Sequence, residues 1–269
     1  MKIGKATVPR TAICTSNEDT IIVRGLDLCH EAIGKLSFSE YFYLLLTGQK
    51  PSPAAMAVLD ATLVAITEHG LVPSVQAARM TFAASPEAMQ GGVAAGLLGC
   101  GSVILGAAEQ AGQMFEKVRQ HQADTGSSLD DAALAVVTEY REARQPFPGY
   151  GHPLHKQRDP RVAALFDVSA QSDASQEYIL IAEAVERAIP KVTGKDLRLN
   201  VSAAIPAVLL GVHYPLRALR GIPILARSAG LIAHIFEEMN QPIGFALSYQ
   251  ASLNTEYTGI SPQGFSAQD

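Results

Sequence analysis

Apolar residues recur along most of the chain at the spacing of amphipathic helices, and capping residues separate the apolar segments. Ser37 with Glu40 is a possible capping box ahead of FYLLL, and Gly48 stands where a C-terminal glycine would end that helix. Comparable N-terminal signals precede later apolar segments: Ser52-Pro53, Ser85-Pro86, Ser128 with Asp131, Asp159-Pro160 and Asn200. Alternation typical of a strand occurs in one short segment, TIIVRG at residues 20–25. The pattern predicts an all-α protein.

Proline positions and local composition divide this helical chain further. Pro190 is expected to end the helix through EYILIAEAVERA, because proline lacks a backbone N–H and clashes with the preceding turn. Pro206 is expected to kink VSAAIPAVLLGV or to lie near its start. Polar segments near residues 118–130 and 190–200 indicate a smaller insert between two halves of a larger domain.

The overall composition narrows the class of protein. Hydrophobic residues make up 48% of the 269 residues and charged residues 17%, so part of the surface should be apolar and self-associating. The net charge of −5 argues against a general nucleic-acid binder, which needs a basic surface. Three cysteines at unrelated spacings fit the reduced thiols of a cytoplasmic protein. No secretion signal is expected, because the N-terminus lacks a continuous apolar h-region. No membrane span is expected either, because Gly, Pro or charge breaks every longer apolar stretch before about 18 residues.

One segment, FPGYGHPLHKQRDPR at residues 147–161, concentrates proline, glycine, histidine and charge. Gly149 and Gly151 allow a sharp turn in which backbone groups can approach a flat ligand. His152 would lie on a rigid loop suited to proton transfer, and a cationic cluster that matches carboxylates or phosphates follows it: Lys156, Arg158 and Arg161. Taken alone, the segment is also compatible with a solvated loop between helices. A metal site at His152 and His155 is disfavoured, since no third ligand is evident nearby.

This loop resembles the signature of the citrate synthase family, in which a G-[YF]-G-H run is followed by D-P-R. The resemblance extends over roughly residues 20–250, through these blocks: VRGLDL, FSEYFYLLLTGQKP, GLLGCGSVILGAAEQAGQMF, LNVSAAIPAVLLG and ARSAGLIAHIFEE. Within the family, the run EHG…GLLGCGSVILGA is most similar to the citryl-CoA lyases and to the C-terminal lyase module of ATP-citrate lyase. The short length of the chain also suits those lyases.

The resemblance implies an all-α, citrate synthase-like fold with a large and a smaller helical domain. The large domain would comprise residues 1–110 and 201–269 and carry the dimer contacts and the keto-acid site. The small domain would comprise residues 111–200 and provide the CoA-binding side. The partners implied are a coenzyme A thioester as substrate and a di- or tricarboxylate, in a homodimer or a dimer of dimers. No metal, nucleic acid or membrane is implied.

Matching positions give the expected substrate site. His152 matches the family histidine that hydrogen-bonds the keto-acid oxygen or the tertiary hydroxyl of the condensed product. Arg161 and Arg227 match arginines that clamp carboxylates of the same ligand. Arg79 is the cation in SVQAARM, the segment that supplies a keto-acid-binding histidine in citrate synthases, and it is a further candidate for substrate binding.

The coenzyme A side is implied in the same way. The backbone from Pro148 through Gly149 and Tyr150 to Gly151 matches the segment that receives the adenine end of coenzyme A. Further cations are candidate neighbours of the CoA phosphates: Lys156, Lys195, Lys191 and Arg198. For each lysine, an ordinary solvent-facing cation is the alternative.

Two departures from the family pattern affect catalysis. The family run LHGGANE contains a histidine that polarises the thioester carbonyl, and Ile104 occupies that position here. The family run N-V-D contains the aspartate base that removes the acetyl-CoA α-proton, and Ser202 occupies that position here. A serine hydroxyl does not serve as that base at neutral pH, but it can donate a hydrogen bond or hold a water.

Three functions are therefore compatible with the sequence. The first is citryl-CoA lyase-like cleavage of a 3-hydroxy-polycarboxyl-CoA, with His152 and Ser202 in catalytic positions. The second is citrate synthase-type condensation of acetyl-CoA with a 2-keto acid, with another group in the role of the missing base. The third is a catalytically silent family member that binds coenzyme A or a polycarboxylate. The loss of the family histidine at Ile104 leans towards cleavage rather than condensation, because lyase-type relatives also lack a histidine there.

Overall fold

The computed structural model describes residues 8–101, 105–151 and 158–265, and it confirms the all-α prediction. The α-helices are α1 (Phe38–Thr47), α2 (Pro53–Thr67), α3 (Pro73–Ala84), α4 (Met89–Leu98), α5 (Gly106–Thr125), α6 (Leu129–Glu142), α7 (Pro160–Gln171), α8 (Glu177–Thr193), α9 (Val201–Gly211), α10 (Gly221–Asn240) and α11 (Gly244–Leu253). A small antiparallel sheet precedes them, with the strands in the order β1 (Cys14–Ser16), β2 (Ile21–Val23) and β3 (Leu26–Asp27). The central strand, β2, lies within the single strand that the sequence predicts.

Most helix boundaries follow the capping residues. Ser37 and Glu40 form the predicted capping box of α1, and Gly48 ends that helix in the left-handed conformation. The predicted N-caps of α6, α7 and α9 each accept a backbone N–H with their side chain: Ser128, Asp159 and Asn200. Side-chain oxygens therefore satisfy N–H groups that the first turn of each helix leaves unpaired.

Two predicted boundaries are wrong. Pro190 does not end α8, which continues to Thr193 and stops at Gly194 in the left-handed conformation. A proline removes one helical hydrogen bond, but the buried Ile189 and the glycine cap hold the last turn in place. Helix α4 begins at Met89 rather than at Ser85-Pro86.

The chain forms two compact units, and the first comprises Met1–Ala65 and Ala107–Arg220. Helix α8 lies between α6 and α9, and α7 packs on α9. Apart from Ser202, every residue of α9 is buried, so this helix is the centre of the unit. The predicted domain boundary at residue 200 falls inside this packed group, because α9, which follows the boundary, packs against α7 and α8, which precede it. The division into a large domain and a CoA-binding small domain stays a prediction.

The second unit comprises Ile66–Gly106 and Gly221–Asp269. Its core is the contact of α3 and α4 with α10, where Phe82, Leu231 and Ile235 are buried together. Gly96 of α4 lies so close to α10 that a β-carbon there would come within 2.7 Å of the Leu231 side chain. A glycine at this point lets the two helices approach closely.

One segment, Leu216–Asn240, is long and apolar enough to cross a membrane by length and composition, although the sequence analysis expected none. The helix it contains, α10, packs against α3 and α4, and 44% of the apolar window is buried. A core helix of a folded protein passes the same test of length and composition. We therefore assign α10 to the core of its unit.

A buried ion pair joins α3 to α10 in the second unit. Arg79 on α3 is 2% exposed, and its Nε donates to Glu238 of α10 at 2.6 Å. Its terminal nitrogens donate to Glu237 and to the backbone carbonyl of Gln241. Glu238 also accepts the N–H of Gly244 at 2.7 Å, at the start of α11. One buried carboxylate thus connects three helices.

Replacing Arg79 by methionine should destabilise the protein by about 3–5 kcal/mol, because Glu238 would remain buried without its cation. The free energy of unfolding in urea measures this loss. Glu237→Gln is the matched control, because Glu237 binds the same guanidinium from an exposed position and should contribute less than about 1 kcal/mol. A loss below about 1 kcal/mol for Arg79→Met would contradict the structural role.

The stability of the second unit should also depend on pH through Glu238. Burial alone would raise the pKa of this carboxyl, but the N–H groups of Ile243 and Gly244 and the Arg79 guanidinium outweigh it, so the pKa lies below its ordinary value. A lowered folded-state pKa contributes stability above the unfolded value of about 4.3, and this stability is lost as the pH falls through the folded value. Urea unfolding between pH 6 and pH 3 should show a shallower acid loss for Glu238→Gln. The control variant Glu142→Gln, at an exposed position, should follow the wild-type curve. If Glu238→Gln also followed the wild-type curve, the Glu238 carboxylate would not contribute to the pH dependence of stability.

Candidate active site

Residues 148–151, here called the glycine-rich loop, pair with the segment that leads into α9. Tyr150 and Leu199 form an antiparallel bridge, so residues 149–151 lie alongside residues 198–200. Backbone hydrogen bonds of 2.7 Å and 2.9 Å flank this pair. The Tyr150 side chain is buried, and its hydroxyl donates to the carbonyl of Ala182 on α8 at 2.8 Å. The segment predicted to receive the adenine end of coenzyme A is therefore held as a short two-stranded element.

Gly149 determines how closely this loop approaches α9. Its φ is +84°, and a β-carbon there would lie 2.5 Å from the Ala203 β-carbon and 2.7 Å from the Ala203 backbone nitrogen. Both the conformation and the space require glycine. Asn200 adds a bond from its side-chain amide to the Gly151 carbonyl at 2.7 Å. The loop therefore rests directly on the first turn of α9.

Ser202 lies in that first turn. Its backbone N–H donates to the Asn200 side chain at 2.9 Å, and the residue is half-buried at the end of an otherwise buried helix. The N-terminus of a helix favours negative charge, because its first N–H groups lack intrahelical acceptors and the macrodipole is positive there. The N–H groups of Val201 and Ser202 already donate to Asp159 and Asn200, so the macrodipole and the Ser202 hydroxyl are what this helix end offers to a developing oxyanion.

Asp159 connects Arg161 to this helix end. Asp159 is 2% exposed, and its carboxylate accepts Arg161 Nε at 3.1 Å and Nη2 at 2.8 Å. It also accepts the backbone N–H of Val201 at 3.3 Å. Burial alone would raise the pKa of Asp159, but the Arg161 hydrogen bonds outweigh it and the pKa lies below its ordinary value. The ionised carboxylate thus fixes one edge of the guanidinium, which Arg161 offers from the first turn of α7.

Glu186 on α8 makes a second connection between the same two segments. It is 8% exposed and accepts the Leu199 backbone N–H at 2.7 Å. Its other oxygen accepts the Arg158 guanidinium. Glu186 was not predicted from the sequence, although an acidic residue at an apolar position of a helix is a recognisable signal. Glu186 lies on the buried side of α8 with Ile179 and Ala182, at spacings where an apolar residue is expected.

A cavity of about 270 Å³ borders the glycine-rich loop in the first unit. Its lining residues are mostly amides, prolines and one aromatic ring: Gln110, Gln113, Tyr140, Gln145, Pro146 and Pro148. Tyr140 stacks against Phe147 with ring centroids 6.4 Å apart, and the Lys117 ammonium lies 5.4 Å from the Tyr140 centroid. Amide groups beside a stacked aromatic pair can hydrogen-bond and pack against a flat heterocycle.

Several predicted residues are placed elsewhere or lie outside the described ranges. His152, Lys156 and Ile104 fall in the segments 152–157 and 102–104, which the structure does not describe. Lys195 is exposed just after the end of α8. Within the described ranges, no group of three or more His, Cys, Asp or Glu side chains is arranged to hold a metal ion. The absence of a metal cofactor stays a prediction.

The two other predicted arginines belong to the second unit. Arg227 is buried on α10, so its convergence with Arg161 stays a prediction. Arg79 is held by Glu237 and Glu238, and these contacts support a structural role rather than the predicted substrate-binding role. His234, also on α10, lies with its Nε2 2.8 Å from the Glu68 carboxylate.

Known relatives of this chain point to one family. A model of the citrate synthase C-terminal domain matches residues 8–244. Citrate synthase of Synechocystis sp. is 28% identical over 212 residues, which cover 77% of this chain and 51% of that protein. Citrate/2-methylcitrate synthase of Bacillus subtilis is 28% identical over 209 residues, which cover 76% of this chain and 53% of that protein. The chain therefore spans about half the length of these curated relatives.

Solved structures add a likeness over the whole chain. Citryl-CoA lyase from Hydrogenobacter thermophilus is 32% identical, with a TM-score of 0.82 that covers 97% of this chain and 98% of the lyase. ATP citrate lyase from Methanosaeta concilii, solved in complex with (3S)-citryl-CoA, shares the fold at 22% identity and a TM-score of 0.75, over 96% of this chain and 43% of that one. Because the family match extends over most of its length, the chain belongs to the citrate synthase family.

Proposed function

We propose that the protein is a citryl-CoA lyase, which cleaves citryl-CoA or a closely related 3-hydroxy-polycarboxyl-CoA into a keto acid and an acyl-CoA. The observation that carries the proposal is the end-to-end match to the Hydrogenobacter thermophilus lyase. The citrate synthases that resemble this chain are about twice as long as the part they share with it. ATP citrate lyase from Methanosaeta concilii, which shares the fold, was solved in complex with (3S)-citryl-CoA.

The cleavage needs three actions from the protein. The tertiary hydroxyl of citryl-CoA must lose a proton, the carbon–carbon bond must break towards the thioester, and the enolate of acetyl-CoA must be stabilised until its carbon takes up a proton. The proton lost from oxygen balances the proton gained by carbon, so the reaction needs no further co-substrate. In this proposal, His152 accepts the hydroxyl proton, as its position in the family motif implies.

The described residues suit the remaining actions. Arg161 offers a guanidinium oriented by Asp159, which can engage a carboxylate of the departing keto acid. The Ser202 hydroxyl and the N-terminus of α9 are suited to stabilising the enolate oxygen. Neither group replaces the family aspartate, whose carboxyl would protonate the enolate carbon in the cleavage direction. In this proposal, that carbon takes its proton from water.

We place coenzyme A at the glycine-rich loop. The backbone of residues 148–151 is fixed by its pairing with the segment before α9, and the amide-lined cavity lies directly beside Pro148. In this proposal, the adenine occupies that cavity, between Tyr140 and the loop backbone. Lys156 and Lys195 would lie on the phosphate side.

A citrate synthase-type condensation is the second candidate, favoured by the names of the curated relatives. Release of free CoA from acetyl-CoA and oxaloacetate distinguishes the two functions. If the protein is a lyase, wild type should release little free CoA from acetyl-CoA and oxaloacetate. A wild type that condenses these substrates faster than it cleaves citryl-CoA would establish a synthase. A protein that binds CoA and citrate in calorimetry but performs neither reaction would be a silent family member.

Wild-type protein supplied with citryl-CoA should release oxaloacetate and acetyl-CoA in equal amounts. His152→Ala should lower kcat/KM at least about 100-fold, because proton transfer is lost. Ser202→Ala should lower kcat by about 10-fold or more, because one donor to the enolate is removed. The exposed Lys50→Ala serves as a control outside the proposed chemistry and the proposed coenzyme A site. No turnover above the His152→Ala background would contradict lyase activity.

We further propose that the protein is a homodimer through the outer face of the second unit. Apolar side chains follow helical spacing along the exposed sides of α10 and α11: Ile232, Phe236, Met239, Phe245, Tyr249 and Leu253. A contiguous apolar surface on a soluble domain marks an interaction site. A second copy is the occupant that a symmetric assembly would provide.

Light scattering after size exclusion should give twice the chain mass of 28.5 kDa for wild type. Phe236→Glu should shift the protein towards the monomer, because a charge would be buried in the apolar interface. Val64→Glu is the matched control, since Val64 is also an exposed apolar residue but lies on α2 in the first unit. A monomeric wild type, or a Phe236→Glu dimer as stable as the control, would contradict the proposed face.

A further inference from the structure

Glu186 is a buried acidic residue to which the family motifs give no role. It lies on α8, away from the glycine-rich loop and from the D-P-R motif in the sequence. Its carboxylate is 8% exposed and is shared by two partners from different segments. One partner is the backbone N–H of Leu199, at 2.7 Å, and the other is the guanidinium of Arg158.

Both partners border the proposed site. Leu199 pairs with Tyr150 of the glycine-rich loop and precedes Ser202 by three residues. Arg158 precedes Arg161 by three residues and follows His152 by six. Glu186 therefore holds the entry to α9 and the entry to α7 on one rigid helix. A buried carboxylate needs such partners, because it would otherwise be desolvated without compensation.

We propose that Glu186 is a positioning residue, which acts through Leu199 and Arg158 to hold the segments that carry Ser202 and Arg161 in the geometry needed for substrate binding. The inference rests on the proposed lyase function for its kinetic consequence, but its structural part is independent of turnover. Displacement of a binding group by about 1 Å can lower a rate by about 100-fold, so a group outside the site can control activity through geometry.

Glu183 provides a matched comparison on the same helix. It lies one turn before Glu186 and approaches the same Arg158 guanidinium at 3.4 Å, but its side chain is 33% exposed. Of the contacts described for these two glutamates, the bond to the Leu199 N–H belongs to Glu186. Glu183→Gln therefore removes a charge near Arg158 and leaves the link to the α9 segment intact.

Steady-state kinetics with citryl-CoA test the positioning role in the full-length protein. Glu186→Ala should raise KM about 10-fold or more, because the segment that presents Arg161 loses its support. Glu186→Gln should recover part of this loss, since its amide oxygen can still accept the Leu199 N–H. Glu183→Gln should change KM less than about twofold. A purely structural role would lower the folded fraction and hence the apparent kcat, with KM unchanged, and that result would overturn the proposal.

Hydrogen–deuterium exchange tests the same proposal without turnover. Peptides that cover residues 196–203 and 158–166 should exchange faster in Glu186→Ala than in wild type, while Glu183→Gln should match wild type. Equal exchange of these peptides in Glu186→Ala and Glu183→Gln would overturn the proposal. If wild type fails to cleave citryl-CoA, the lyase function fails, and the exchange comparison alone decides whether Glu186 holds the two segments.

Discussion

The geometry of the first unit depends on buried carboxylates that bridge segments distant in sequence. Asp159 carries this constraint most directly, because one carboxylate orients Arg161 and at the same time receives the backbone N–H of Val201. A buried anion is tolerated only when its partners replace the lost hydration. Each partner is therefore restricted to positions from which it can donate a hydrogen bond to the anion. The neighbouring side chains are restricted with it.

The burial of α9, complete apart from Ser202, explains why such bridges occur at its first turn. A helix buried along its length fixes the depth of its first turn within the unit. The polar groups that the first turn exposes then require partners from neighbouring segments. Asn200 provides one from the cap and Asp159 another from the start of α7. Glu186 on α8 accepts the N–H of Leu199, just before the cap. Packing sets the location, and hydrogen bonding sets the orientation.

The fold was largely predictable from sequence because capping residues act locally. Ser37, Ser128 and Asn200 bond within their own helix ends, so their role can be recognised in a few residues of sequence. Pro190 misled the prediction because its effect depends on the packing of the residues before it, which local sequence does not contain. Helix boundaries are therefore accurate where a cap decides them and inaccurate where tertiary contacts do.

The candidate site was predictable in part, for the same reason. The loop signature identified the segments around Gly149 and Arg161, and the N-V-D run identified Ser202. The structure packs Gly149 against Ala203 and joins Asp159 to the Val201 N–H. The match of Arg79 to a family segment could not show its two glutamate partners, which lie more than 150 positions away. The acidic residue at an apolar position of α8 marks Glu186 in the sequence, but its partners, a backbone N–H and a distant arginine, are visible only in the structure.

The contact between Gly149 and Ala203 has a consequence for how this protein can diverge. Because a β-carbon at position 149 would lie 2.5 Å from the Ala203 β-carbon, neither position can grow without moving the other. Substitutions at positions 149 and 203 should therefore depend on each other. Homologues with a larger residue at position 203 should show a compensating displacement of the loop. In the proposed lyase, changes in the affinity for the adenine end of coenzyme A would then have to arise from the side chains that line the adjacent cavity rather than from the turn itself.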